Sequence, residues 1–220
     1  MSAVTAGRRL IILGCLVLSS GVGPGAIGSQ SGATITFRKV FKSSYPEFVE
    51  IKVDQSGMGT YDIRQLDEES TPQPMKLDPA LVQKIFDLST KLRDFDGIEL
   101  EMHRRIANLG EKTFRYDRGA ETHSVSFNYT TDHNAEQLLD IFESLSRQLT
   151  DASDLLRTMK YDRLGVNDVL IQIEKDYDHK LLPQPEQLLP SLDQLAADTH
   201  YIDIARERAR GLAARIRAQH

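Results

Sequence analysis

The chain has no tryptophan and a single cysteine among its 220 residues. One cysteine cannot close an internal bridge, and Cys15 lies in a leader-like segment. The body of the chain therefore has no thiol nucleophile and no thiolate metal site. Apolar runs are short. The run from Leu10 to Leu18 covers nine residues, too few to span a bilayer comfortably. No glycine-rich phosphate loop leads into a helix, and there is no His-Glu-x-x-His zinc helix and no Gly-x-Ser-x-Gly elbow. These absences count against the familiar motif-bearing enzymes. Positive charge is not in excess either. Without the two arginines of residues 1–28, 25 basic side chains face 32 acidic ones. That balance argues against nucleic-acid binding, which needs a basic footprint.

What is present begins with an export pattern. Arg8-Arg9 supply a positive end, Leu10 to Leu18 an apolar core, and Gly21 to Gly28 break the helix before a small-x-small site at Ala26-Ile27-Gly28. The expectation is a signal peptide over 1–28 and a periplasmic or secreted product. Lipid anchoring at Cys15, through Ile12-Leu13-Gly14-Cys15, and an uncleaved signal anchor are the rival readings.

From Thr34 the period is two. Ile35 and Phe37 alternate with Thr34, Thr36 and Arg38, and Val49, Ile51 and Val53 alternate with Glu50, Lys52 and Asp54. Gly57 and Gly59 flank a turn in which both can take positive φ. Tyr61 and Ile63 then continue the dry face opposite Asp62 and Arg64, and a short strand is expected near Met75-Lys76-Leu77. Asp78-Pro79 reads as an N-cap acceptor followed by a first-turn proline, starting a helix over 79–95. Residues 98–110 read as an irregular or strand-like link between Gly97 and Gly110.

The organising stretch is 111–159. Thr113 to Tyr116 turns at Asp117-Arg118-Gly119 and returns through His123, Val125, Phe127 and Tyr129 on one face. A helix over 134–160 follows, with Leu138, Ile141, Phe142, Leu145, Leu149, Ala152, Leu155 or Leu156, and Met159 as its stripe. Beyond it the pattern is wholly helical. Gly165 reads as a left-handed cap, a helix carries Val166, Val169, Leu170 and Ile173, and Leu182 to Pro185 form a rigid connector. Thr199 reads as the cap of a last helix whose stripe is Ile202, Ala205, Ala209, Leu212 and Ile216.

Candidate ligands read more simply as surface. Glu174, Asp176, Asp178 and His179 have oxygen and imidazole donors, but periodicity puts them at the solvated end of a helix, with no glycine turn to wrap a cation. His123, His103 and His133 read as hydrogen-bonded edge residues. Arg206, Arg208, Arg210, Arg215 and Arg217 could meet an anionic membrane surface, but the alanine-rich apolar face favours pairing with the acidic body.

Gly57-Met58-Gly59-Thr60-Tyr61 and Gly110-Glu111-Lys112-Thr113-Phe114 resemble exported bacterial α+β domains of unknown function, in which a glycine-turn hairpin precedes a helix. The resemblance implies fold and location, and no activity. The expected fold class is α+β: an antiparallel sheet with amphipathic helices on one face, over 29–161, followed by an all-helical appendage over 162–220. The face of Thr34, Thr36, Arg38, Glu50, Lys52, Asp62, Arg64, Thr122, Ser124, Ser126 and Asn128 should meet water. The expected function is that of a non-enzymatic interaction or envelope-associated protein with an envelope protein as partner. The alternative is a periplasmic or secreted hydrolase whose site is dispersed in sequence. No catalytic or metal-binding residue and no cofactor is assigned, and the binding residues and oligomeric state are left unspecified.

Overall fold

Alternating apolar residues make six strands pair into one antiparallel sheet. They are β1 (Thr34–Val40), β2 (Phe48–Asp54), β3 (Met58–Arg64), β4 (Gln73–Lys76), β5 (Glu111–Arg118) and β6 (Glu121–Phe127), in the order β4-β3-β2-β1-β5-β6. The computed structural model describes residues 32–219, so the signal peptide expected over 1–28, with Cys15, lies outside the described residues. Helix α1 (Pro79–Lys91) links β4 to β5. After β6 come α2 (His133–Tyr161), α3 (Val166–Asp178), α4 (Leu189–Ala197) and α5 (Asp203–Arg217). This is an α+β protein whose helices mostly follow the sheet.

The register stacks apolar residues on one face. Ile35 faces Val53 and Tyr116, while Phe37 faces Ile51 and Phe114. Val82, Ile85 and Leu88 of α1 and Leu138, Phe142 and Leu145 of α2 cover that face. Aromatic rings fill its centre. Phe37 stacks on Phe142 at 5.1 Å between centroids, and Phe114 lies 5.4 Å from both Phe95 and Phe127. A second apolar cluster forms further along α2. It joins Leu155 and Met159 to Leu170 and Ile173 of α3, Leu192 and Leu195 of α4, and Leu212 and Ile216 of α5. The one helix α2 serves both clusters.

Several local expectations are corrected. Helix α1 ends at Lys91, not 95, because Arg93, Asp94 and Phe95 take positive φ. That left-handed turn ends the helix, and Phe95 is buried in the core, where burial offsets the backbone cost. Asp78 makes no side-chain cap, whereas Asp132 accepts from the amides of Asn134 and Ala135 at the start of α2. Gly57 takes positive φ but Gly59 does not. A Cβ on Gly59 would sit 2.0 Å from the Lys52 carbonyl, so close strand approach is what requires glycine there. Gly165 has φ −73°, precedes α3 and is no left-handed cap. Helix α5 starts at Asp203 after Ile202, so Thr199 does not cap it, and Ile202 is exposed. Tyr129 lies past the end of β6 and is partly exposed. Of the two leucines left open on α2, Leu155 is buried and Leu156 is 56% exposed.

The link over 98–110 is irregular but tethered. The Met102 amide donates to the Tyr129 carbonyl at 2.9 Å, and the Leu109 amide donates to the Asn128 side chain at 2.7 Å. The buried Lys112 ammonium donates to the carbonyls of Leu109 and Asn128 beneath this link.

Candidate functional site

Helix α2 carries apolar side chains inward through Leu145 and again from Leu155, but polar ones between. Gln148 and Asp151 lie in phase with the stripe, three and six residues past Leu145, and both are buried. The seam between the two apolar clusters is therefore polar. Gln148 closes a two-bond ring with the backbone of the connector after α3. Its Nε2 donates to the Gln184 carbonyl at 2.9 Å, and the Gln184 amide donates to Oε1 at 2.8 Å.

Asp151 meets Asp176 of α3. The two residues are 8% and 3% exposed, so neither carboxyl is well hydrated. Asp176 accepts from Gln172 Nε2 at 2.8 Å and has Arg147 at 3.6 Å. Asp151 Oδ2 has no donor partner among the described residues. Burial pushes the Asp151 carboxyl up to about 7, the negative charge of Asp176 adds to this, and the Arg147 guanidinium opposes it. A neutral Asp151 can donate its own proton to Asp176, which satisfies the otherwise orphaned oxygen.

The pair lines a groove of about 490 Å³ that also takes in Lys39, Phe41, Tyr45 and Glu143. Lys39 Nζ is bound to Glu143 at 2.7 Å. The Ser44 and Thr150 hydroxyls in the groove donate to backbone carbonyls, so neither is aimed at a base. Chemically the site can hold and release one proton between the two carboxyls.

The second site is the sheet face away from α1 and α2. In successive rows Arg38 lies between Glu50 and Thr113, Thr36 between Lys52 and Arg115, and Thr34 between Asp54 and Asp117. Arg115 grips Asp117 through two guanidinium nitrogens, and Thr122 Oγ1 donates to the same carboxylate at 2.7 Å. The Arg115 hydrogen bond holds the Asp117 carboxyl below its ordinary range. Arg38 and Lys52 are exposed and make no salt bridge among the described residues, and the rows enclose a depression of about 330 Å³. One member of the expected wet face is wrong. Asp62 is buried, because Arg64 Nε at 3.0 Å and Ser70 Oγ at 2.8 Å fold over it.

The other sequence candidates disperse. Asp176 points inward, contrary to its placement at a solvated helix end. Glu174 and Asp178 pair with Arg215, and Glu174 also with Arg208. His179 Nδ1 bonds the Lys175 carbonyl at 2.7 Å. His123 stacks on Tyr116, His103 pairs with Glu99 and His133 meets Gln137. Among the described residues no three potential metal ligands converge. Arg206 and Arg217 pair with Asp203 and Asp193, and Arg210 donates to the Ala196 carbonyl, so each of the five α5 arginines has a partner. Sequence reasoning missed Gln148 and Asp151. Their only signal was phase: polar residues at positions where the stripe required inward-facing ones.

Compared with known protein families and with curated proteins, the chain matches none. Among the described residues no helix is long and apolar enough to cross a membrane.

Proposed function

We propose that this protein is exported, periplasmic or secreted, and acts as a non-enzymatic interaction protein of the cell envelope. The open, polar face of its sheet is the recognition surface. The supporting observation is where the register places two cations that make no salt bridge among the described residues. Arg38 and Lys52 stand exposed on central strands, spaced by hydroxyl side chains, while both amphipathic helices pack on the opposite face. An open face of this kind suits an envelope protein whose acidic side chains meet those two cations. The last helix is a weaker candidate for contact with a membrane, since its arginines are engaged by α3, α4 and its own first turn. Export rests on Arg8-Arg9, the nine-residue apolar run and the Ala26-Ile27-Gly28 site.

Two measurements test the reading. Mass spectrometry of the mature protein should find a start near Ser29, and a cytosolic product retaining Met1 would remove export. Capture from the envelope fraction should recover a partner that the Arg38→Glu, Lys52→Glu double variant loses, with circular dichroism unchanged. Equal capture by the double variant would remove the sheet face from the account. The Asp151–Asp176 groove is the observation that favours a hydrolase instead. That reading requires a hydrolytic activity that Asp151→Asn abolishes.

A further inference from the structure

Two carboxylates in contact, away from water, cannot both carry charge without a large electrostatic cost. One shared proton turns their repulsion into a charge-assisted O–H···O⁻ bond. Asp151 and Asp176 are both buried, line the same groove and are within hydrogen-bonding reach of each other, at the seam where α2 passes from the first apolar cluster to the second. Asp176 has the Gln172 amide and Arg147 to stabilise a negative charge, whereas Asp151 Oδ2 has no donor of its own. We infer that Asp151 and Asp176 form a one-proton latch between α2 and α3. It is closed while the proton is shared and loosened when the proton leaves, so the C-terminal helices grip the sheet-bearing part more tightly in acid than at neutral pH.

Among the described residues, the charged groups around the pair are engaged elsewhere or screened. On α2, Arg147 is half exposed and therefore screened, and Asp154 is held by Arg157. From β1, Lys39 is taken by Glu143, and the β1–β2 loop brings the Tyr45 phenol and the Ser44 hydroxyl, the latter bound to backbone carbonyls. On α3, Gln172 is neutral, and Arg208 and Arg215 of α5 bind Glu174 and Asp178 instead. The sign follows from the raised proton affinity of the closed pair, with Asp151 lifted to about 7. Opening is independent of pH below about 4, becomes up to tenfold easier per pH unit between there and about 7, and levels off above.

The test is amide exchange of α3 in the full chain between pH 5 and 8.5, with β1 amides as the internal control. Asp151→Asn, which keeps a donor toward Asp176 but cannot ionise, is measured in parallel. After correction for intrinsic exchange, wild-type α3 protection should fall tenfold or more from pH 5 to 7 and then level off. The variant should stay flat. Carboxyl carbon-13 shifts of the wild type give a second readout that needs no variant, with one carboxyl of the pair titrating near neutrality. Parallel exchange profiles for the two proteins, or both carboxyls titrating near pH 4, would overturn the latch.

Discussion

Phe127, the last residue of β6, is buried with its ring 5.4 Å from Phe114. It shares a cluster in which Phe37, Phe95, Phe114 and Phe142 also meet ring to ring. Removing one ring leaves a cavity that its close-packed neighbours fill only in part. Phe127→Ala should cost about 3–5 kcal/mol, read by chemical denaturation. A loss below about 1 kcal/mol would mean the cluster collapses around the gap at little cost. Alternation identified this side chain correctly because it reports which face of a strand is dry. The same rule failed at Asp62. Alternation cannot anticipate a loop folding back, and Arg64 and Ser70 enclose that carboxylate from the solvent side.

Among the elements, α2 decides most. Its 29 residues present one inward stripe to two separate apolar clusters, with Gln148 and Asp151 between them. Gln148 is the sole side chain seen to satisfy both the amide and the carbonyl of Gln184, among the described residues. Gln148→Ala leaves the buried Gln184 amide without its partner, while the Gln184 carbonyl keeps only the Gln187 amide at 3.1 Å. It should destabilise by about 1–3 kcal/mol. Urea unfolding checks this, and an unchanged midpoint would mean that water enters the seam and replaces the amide. Helix α1 teaches a different lesson. Its stripe runs on to Phe95 in sequence, yet the helix stops at Lys91 and a left-handed turn delivers the ring. Periodicity found the buried residue and mistook the backbone that carries it.

For the whole molecule, the first apolar cluster draws its buried members from residues before 150, while the second takes Leu155 and Met159 from α2 and the rest from later helices and their connectors. A chain ending at Tyr161 should therefore keep its sheet and the first half of α2. Residues after Asp151 should fray, since nothing remains to cover Leu155 and Met159. Circular dichroism and strand amide exchange read this directly. Loss of strand protection, or wholesale aggregation, would show that the second cluster supports the first.

The sequence alone determined the α+β class, the strands, the long amphipathic helix and the wet side of most of the sheet. Those features follow from the two periods, 2 and 3.6, by which a chain sorts apolar from polar side chains. Tertiary structure decided the polar seam. Asp151 and Asp176 are 25 residues apart in sequence, and Gln148 and Gln184 are 36 apart. Local pattern reads such residues as surface, because a lone polar side chain on a helix normally faces water. Only the packing of α3 and its connector against α2 removes that water. Once it is gone, the unhydrated carboxyls share a proton and the amide takes up the backbone groups of Gln184.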